Sequence, residues 1–170
     1  MKKILYILTL FISLLCICSC NNTSLPKEIP DDFSFKVIWG TYGISSYDSE
    51  TGTLIKTSDA TNPEDYITTY FLTDDELKQI YELIYNLNIE SYADSLNDKS
   101  FGTSNPYMNL KLEVKTGTIN KTIMASKVSN YNDGYTIKTK KYLNVIKSIR
   151  DILMNTAEWK ALPDYEFLYD

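Results

Sequence analysis

Met108-Asn-Leu-Lys-Leu-Glu-Val-Lys-Thr-Gly-Thr-Ile-Asn-Lys-Thr-Ile-Met-Ala125 decides the fold. Met108, Leu110, Leu112 and Val114 alternate with Asn109, Lys111, Glu113 and Lys115, so one face is apolar and the other is wet. That is the period of a strand in an antiparallel sheet with one solvated side. Thr116-Gly117 supplies a tight turn, and Ile119 to Ala125 returns as the partner strand. A hairpin of this kind needs a second layer on its apolar face.

The helices that could supply that layer stand on either side of the hairpin. Upstream, Thr73-Asp-Asp-Glu76 forms a capping box, with Thr73 as N-cap and Glu76 as the third helical residue. Leu77, Ile80, Tyr81, Ile84 and Leu87 then recur at helical spacing, which predicts a helix over 74–88. Asp74, Asp75 and Glu76 are read as favourable charge at its N-terminus. Downstream, Tyr142, Val145, Ile146, Ile149, Ile152 and Leu153 mark the buried stripe of a helix over 138–154. Lys140, Lys141, Lys147 and Arg150 fall between them as a solvated face. The tail carries Trp159, Leu162, Tyr165 and Phe167, enough apolar surface to pack back on the domain.

Towards the N-terminus, Phe33, Phe35, Val37 and Trp39 alternate with polar or smaller residues and predict the first strand. Thr53–Thr57 predicts a second, and the β-branched, aromatic run Tyr66–Leu72 a third. Between them, 40–52 reads as a turn-rich loop, and 126–136 as another. The expected order is β-β-β-α-β-β-α. This is an α+β fold, an antiparallel sheet with two helices on one face.

The first 20 residues differ in kind. Lys2 and Lys3 precede an apolar run from Ile4 to Ile17, the layout of a secretory signal. At about 14 residues the run is short of the ~20 that a spanning helix takes. Ile17-Cys18-Ser19-Cys20 resembles the lipobox of bacterial lipoproteins, with Cys18 an unusual occupant of its place. Cys16 and Cys18 follow Leu15 and Ile17, whereas Cys20 follows the small Ser19. The resemblance implies a signal peptide over 1–19 and a diacylglyceryl thioether on Cys20. It implies a domain anchored to a membrane of the bacterial envelope, outside the cytoplasm. Residues 20–31, polar with Pro26 and Pro30, read as a lipidated tether, leaving 32–170 as one domain.

Composition narrows the chemistry. The net charge is −5, and removing Lys2 and Lys3 with the signal makes it −7. An acidic chain whose only arginine is Arg150 lacks the electrostatics for nucleic acid. Apart from its anchor, it would be repelled by anionic lipid. There is no histidine, and all three cysteines lie at or before position 20. That removes His-based triads, the usual His/Cys zinc sites and His-ligated haem. No cofactor or metal is expected. Asp48-x-Glu50-x-Gly52 and Asn130-x-Asn132-x-Gly134 lack the ligand spacing of a calcium loop and read as turns. Ser24-x-x-Lys27 has a catalytic spacing but lies in the tether.

What remains is tyrosine, 14 in the whole chain, many beside Asn, Ser and Gly. Tyrosine with small polar neighbours suits adaptable binding surfaces, and equally suits half-buried sheet packing. The expected binding surface is the pair of loops 40–52 and 126–136, with Tyr42, Tyr47, Tyr131 and Tyr135 as anchors. The leading functional expectation is a non-catalytic binding or accessory module for a protein or glycan. The alternatives are an enzyme using carboxylate or Tyr/Lys chemistry and an inhibitor-like scaffold acting through its sheet face.

Overall fold

The structure is a computed structural model of the chain and describes residues 24–41, 44–56, 62–96, 98, 101, 106–129 and 135–164. Four strands come first: β1 (Ser34–Trp39), β2 (Ser45–Asp48), β3 (Thr53–Ile55) and β4 (Ile67–Thr69). Helix α1 (Asp74–Leu87) follows, then β5 (Ser95–Leu96), β6 (Met108–Lys115) and β7 (Asn120–Val128). The chain closes with α2 (Ile137–Met154) and the short α3 (Ala157–Ala161). The fold is α+β, with a seven-stranded sheet in the order β4-β3-β2-β1-β6-β7-β5. Every pairing is antiparallel except the edge pair β5–β7, which is parallel.

The hairpin forms as its alternation dictates, with Leu112 opposite Ile123 and Val114 opposite Lys121. Leu110, Leu112, Val114, Ile123 and Ala125 point into the core. So do Phe35, Val37 and Trp39 of β1, Tyr47 of β2 and Leu54 of β3. The helices cover this face through Ile80, Ile84 and Leu87 of α1 and Leu143, Ile146, Ile149 and Leu153 of α2. The other face is solvated. One row there runs Asp48, Lys36, Glu113, Thr122 across four strands, so unlike charges lie opposite one another. Such pairs favour this register over its neighbours, because a one-residue slip would carry every core side chain to the wet face.

The three α-helices among the described residues each start at a threonine. Thr73 accepts from Glu76 N while Glu76 accepts from Thr73 N, completing the capping box. Thr136 accepts from Thr139 N and Thr156 from Trp159 N. Each cap satisfies an otherwise orphaned amide and is worth about 0.5–2 kcal/mol. Helix α1 ends at Asn88, which turns left-handed at φ 57°. α3 lays Trp159 against Trp39, ring centroids 5.6 Å apart. That is the packing expected of this part of the tail, whereas Tyr165 and Phe167 lie outside the described residues.

The observed order, β-β-β-β-α-β-β-β-α-α, adds three elements to the expected one. β2 lies inside the stretch read as a loop over 40–52. Its Ser-Ser-Tyr-Asp sequence carries one large apolar group, too little for a periodic signal. β5 is two residues long and α3 five, and both exist because of what they pack against. The third predicted strand, 66–72, shrinks to Ile67–Thr69. Tyr66 ends a 3₁₀ turn, buried, and donates its O–H to Asp164 O.

The segment read as tether is docked where it is described. Leu25 is 6% exposed and belongs to the core. Its N–H donates to Glu90 Oε1 at 3.1 Å, and Tyr81 O–H donates to Pro26 O at 2.6 Å. Among the described residues the packed body therefore includes Leu25, ahead of the expected residue 32. Polar and proline-rich composition suggested a linker, but one buried leucine, with the Pro26 and Glu28 carbonyls accepting from Tyr81 O–H, suffices to fix this segment of chain.

Candidate functional site

Three connections gather at one end of the sheet. β1 leaves the sheet through Gly40, whose φ of +87° turns the chain, and Thr41 forms a bridge with Met108. Asn109 N donates to Gly40 O at 3.3 Å. Met108 in turn pairs with Val128, the last residue of β7. The flanks of the 40–44 turn, the 97–107 connection and the 129–136 loop thus share one end of the sheet. The sequence places two of these loops on the expected binding surface. Their adjacency depends on the pairing of β1 with β6.

The pairing is irregular at this point. The β6–β7 register shifts between Met108 and Leu110, and Lys127 sits at φ 60°, a conformation uncommon for a residue with a side chain. Asn109 Oδ1 accepts from Lys127 N at 3.3 Å. Bulges of this type re-aim side chains at sheet ends and next to sites. At this end, Ser129 N donates to the Tyr135 hydroxyl at 3.3 Å, and the Phe101 and Tyr135 rings lie 5.3 Å apart.

The four anchor tyrosines separate. Tyr47 stands on β2, 1% exposed, with its ring 5.8 Å from Phe35 and its O–H donating to Tyr70 O at 3.1 Å. Tyr135 is 6% exposed and packs against Phe101. Both are packing groups, which corrects their assignment as surface anchors. Tyr42 and Tyr131 lie outside the described residues. Sequence reasoning left out Phe101, half-buried against Tyr135, and Asn109, which holds the bulge. Neither has a local signal, since each acquires its role from a residue far along the chain.

Several of the groups that carboxylate or Tyr/Lys catalysis could use hold parts of the fold together. Burial opposes ionisation of Glu76, but hydrogen bonds from Tyr70 O–H and from the Thr73 hydroxyl and N–H outweigh it, and the carboxyl is held below its ordinary range. Lys56 is 6% exposed, reaches Leu162 O at 3.2 Å and Asp164 at 3.4 Å, and lies 5.7 Å from the Trp159 ring centre. These contacts pin α3 and the chain after it to β3. An open groove of about 510 Å³ runs between α1 and α2, lined in part by Gln79, Glu82, Asn86, Ser148 and Asp151. Burial raises the Asp151 carboxyl, and Arg150 and Lys147 more than reverse this, leaving it below its ordinary value. Among the described residues, no three His, Cys, Asp or Glu side chains come together as a metal site would require.

Buried phenols give the fold an alkaline limit. Burial pushes Tyr47 up to about 12, aided by the Glu76 and Asp48 charges against a backbone hydrogen bond from Leu72. Burial also raises Tyr70, Tyr81 and Tyr92. A phenol that ionises later in the folded state stabilises that state fully below its unfolded value near 10. The stabilisation is lost as pH rises towards the folded value. Stability should therefore fall between about pH 10 and 12. Absorbance at 295 nm should show a late group of tyrosines ionising together with unfolding. Smooth titration of every tyrosine near 10, with the fold intact, would contradict this burial.

No helix among the described residues is long and apolar enough to cross a membrane. Neither a scan against protein-family models nor a search of the curated proteins finds a match to this chain.

Proposed function

We propose that this protein is a lipid-anchored, non-catalytic binding or accessory module of the bacterial envelope. Cys20 holds it to the membrane, and the loop end of its sheet receives a protein or a glycan. The observation that carries the binding reading is the convergence of three connections at that end, through Thr41–Met108 and Met108–Val128. Loops fixed on a rigid sheet are where proteins place recognition. The anchoring reading rests on Ile17-Cys18-Ser19-Cys20 and the apolar run before it. The non-catalytic part is supported by Glu76, Tyr70 and Lys56, each of which is committed to holding the fold.

The test is capture from an envelope lysate, with Tyr42→Ala and Tyr131→Ala combined in one variant. Tyr47 and Tyr135 stay in place, because removing them would damage the core. Truncating a tyrosine that anchors an interface costs about 2 kcal/mol or more, so the captured partner should bind at least tenfold more weakly. Unchanged binding by a variant that melts like the parent would remove this surface. Capture of a substrate that is turned over would replace the module with an enzyme.

A further inference from the structure

The docked N-terminal segment fixes where an anchor would emerge, and the surface around that point has a distinct chemistry. Ser24 is the first described residue, four positions after Cys20. Four residues reach at most about 14 Å when fully extended. If Cys20 carries lipid, the headgroups lie within that distance of Ser24. Ser24 and Leu25 line one depression with Tyr85, Asn86, Asn88 and Glu90, at the C-terminal end of α1. The first turn of α2 adjoins it. Lys141 Nζ donates to Asn86 O at 2.6 Å, and Lys138 Nζ donates to Ser91 O and lies 4.7 Å from the Tyr92 ring centre. Lys140 is exposed in the same turn. Ile137, immediately before these lysines, is 89% exposed, and Tyr85 is 41% exposed.

We propose that this face, formed by Ser24, Tyr85, Ile137, Lys138, Lys140 and Lys141, lies against an anionic bilayer. The inference rests on the anchoring reading. Three observations converge on it: where the chain comes out, the three cations beside that point, and the bare isoleucine among them. Acids on the adjoining elements include the exposed Glu82, one turn before Tyr85 and Asn86 on α1, and Glu90 and Asp98, which accept backbone amides from Leu25 and from Thr136 respectively. The chain as a whole is acidic, but charges act on a surface only within a Debye length of about 8–10 Å. Lys138, Lys140 and Lys141 therefore act on the headgroups at the exit point, while the acids elsewhere on the chain are screened. Juxtamembrane lysines draw a domain towards anionic lipid, and an exposed apolar side chain can then enter the interface. Phe71, 66% exposed, serves as a control. It precedes the N-terminus of α1, about 20 Å along the helix from Tyr85.

The test uses the full chain isolated from envelope membranes, its lipid checked by mass, in vesicles containing brominated phosphatidylglycerol. Trp39 and Trp159 are buried, at 2% and 4%, so an added surface tryptophan reports alone on the lipid. Ile137→Trp should be quenched and blue-shifted, while Phe71→Trp stays as in neutral unbrominated lipid. Lys138→Glu, Lys140→Glu and Lys141→Glu together should bring the quenching of Ile137→Trp down to the Phe71→Trp level. A lipidated chain in which the two probes are quenched alike overturns the orientation and leaves the anchor standing. So does quenching that survives the triple reversal. An unquenched Ile137→Trp with a doubled particle mass assigns the face to a second copy and overturns it for lipid. A Cys20 without lipid overturns the anchoring reading and this orientation with it.

Discussion

Tyr47→Ala should lower the stability of the fold by about 3–5 kcal/mol, the range for deleting a buried aromatic side chain. Tyr47 lies inside the sheet on β2, directly opposite Val37 on β1 and Leu54 on β3. Its ring contacts Phe35, and at 1% exposure the vacated space is closed to water. The change also leaves Tyr70 O without its donor. Since a small domain is stable by only about 5–15 kcal/mol, the variant should unfold at markedly lower urea. Tyr47→Phe keeps the ring and loses only the hydrogen bond, so it should cost about 0.5–1.5 kcal/mol. A neutral Tyr47→Ala would mean that the side chain stands at the surface as a binding anchor.

Removing residues 24–31 should be the second large effect. A chain starting at Asp32 loses the buried Leu25, worth about 2–5 kcal/mol for the leucine alone. It also loses the bond from Tyr81 O–H to Pro26 O, worth about 0.5–1.5 kcal/mol. Glu90 then keeps a half-buried carboxylate without the Leu25 amide. Urea melts of chains beginning at Ser24 and at Asp32 measure the difference directly. Equal midpoints would restore the segment to a free tether, and with it the freedom of the domain to turn above the membrane.

The two predictions mark where the sequence was readable and where it was not. The hairpin was legible because its two-residue period runs for four repeats and its turn carries a glycine. Helix α1 was legible because Thr73 and Glu76 announce its start three residues apart. β2 was hidden, since Ser45 faces the core beside Tyr47, and its hydroxyl bonds to Lys56 O. A serine at a buried strand position breaks the apolar alternation. Gly52 follows the same logic. Its φ of +69° and the Tyr70 carbonyl 2.9 Å from any Cβ make it a structural turn between β2 and β3. Glu50 belongs to that turn, and Asp48, which ends β2, accepts from Glu50 N at 3.0 Å.

The candidate site was half legible. Tyrosine beside Asn and Gly marked the loops but could not separate Tyr135, packed on Phe101, from an exposed anchor. Whether two loops meet is a property of long-range pairing, here Thr41 with Met108. No local pattern carries it. Leu25 was missed for the opposite reason: its neighbours are polar, and its burial depends on Tyr81 of α1 and on Glu90 in the 3₁₀ turn Ile89–Ser91 that follows it.

The central claim is that this domain is held to a membrane through Cys20. Intact-mass measurement of the protein purified from the envelope tests it most directly. The expected result is a chain that begins at Cys20 and carries the added mass of a diacylglyceryl group. A chain that retains Met1, or one that begins at Cys20 with a free thiol in most molecules, would contradict it.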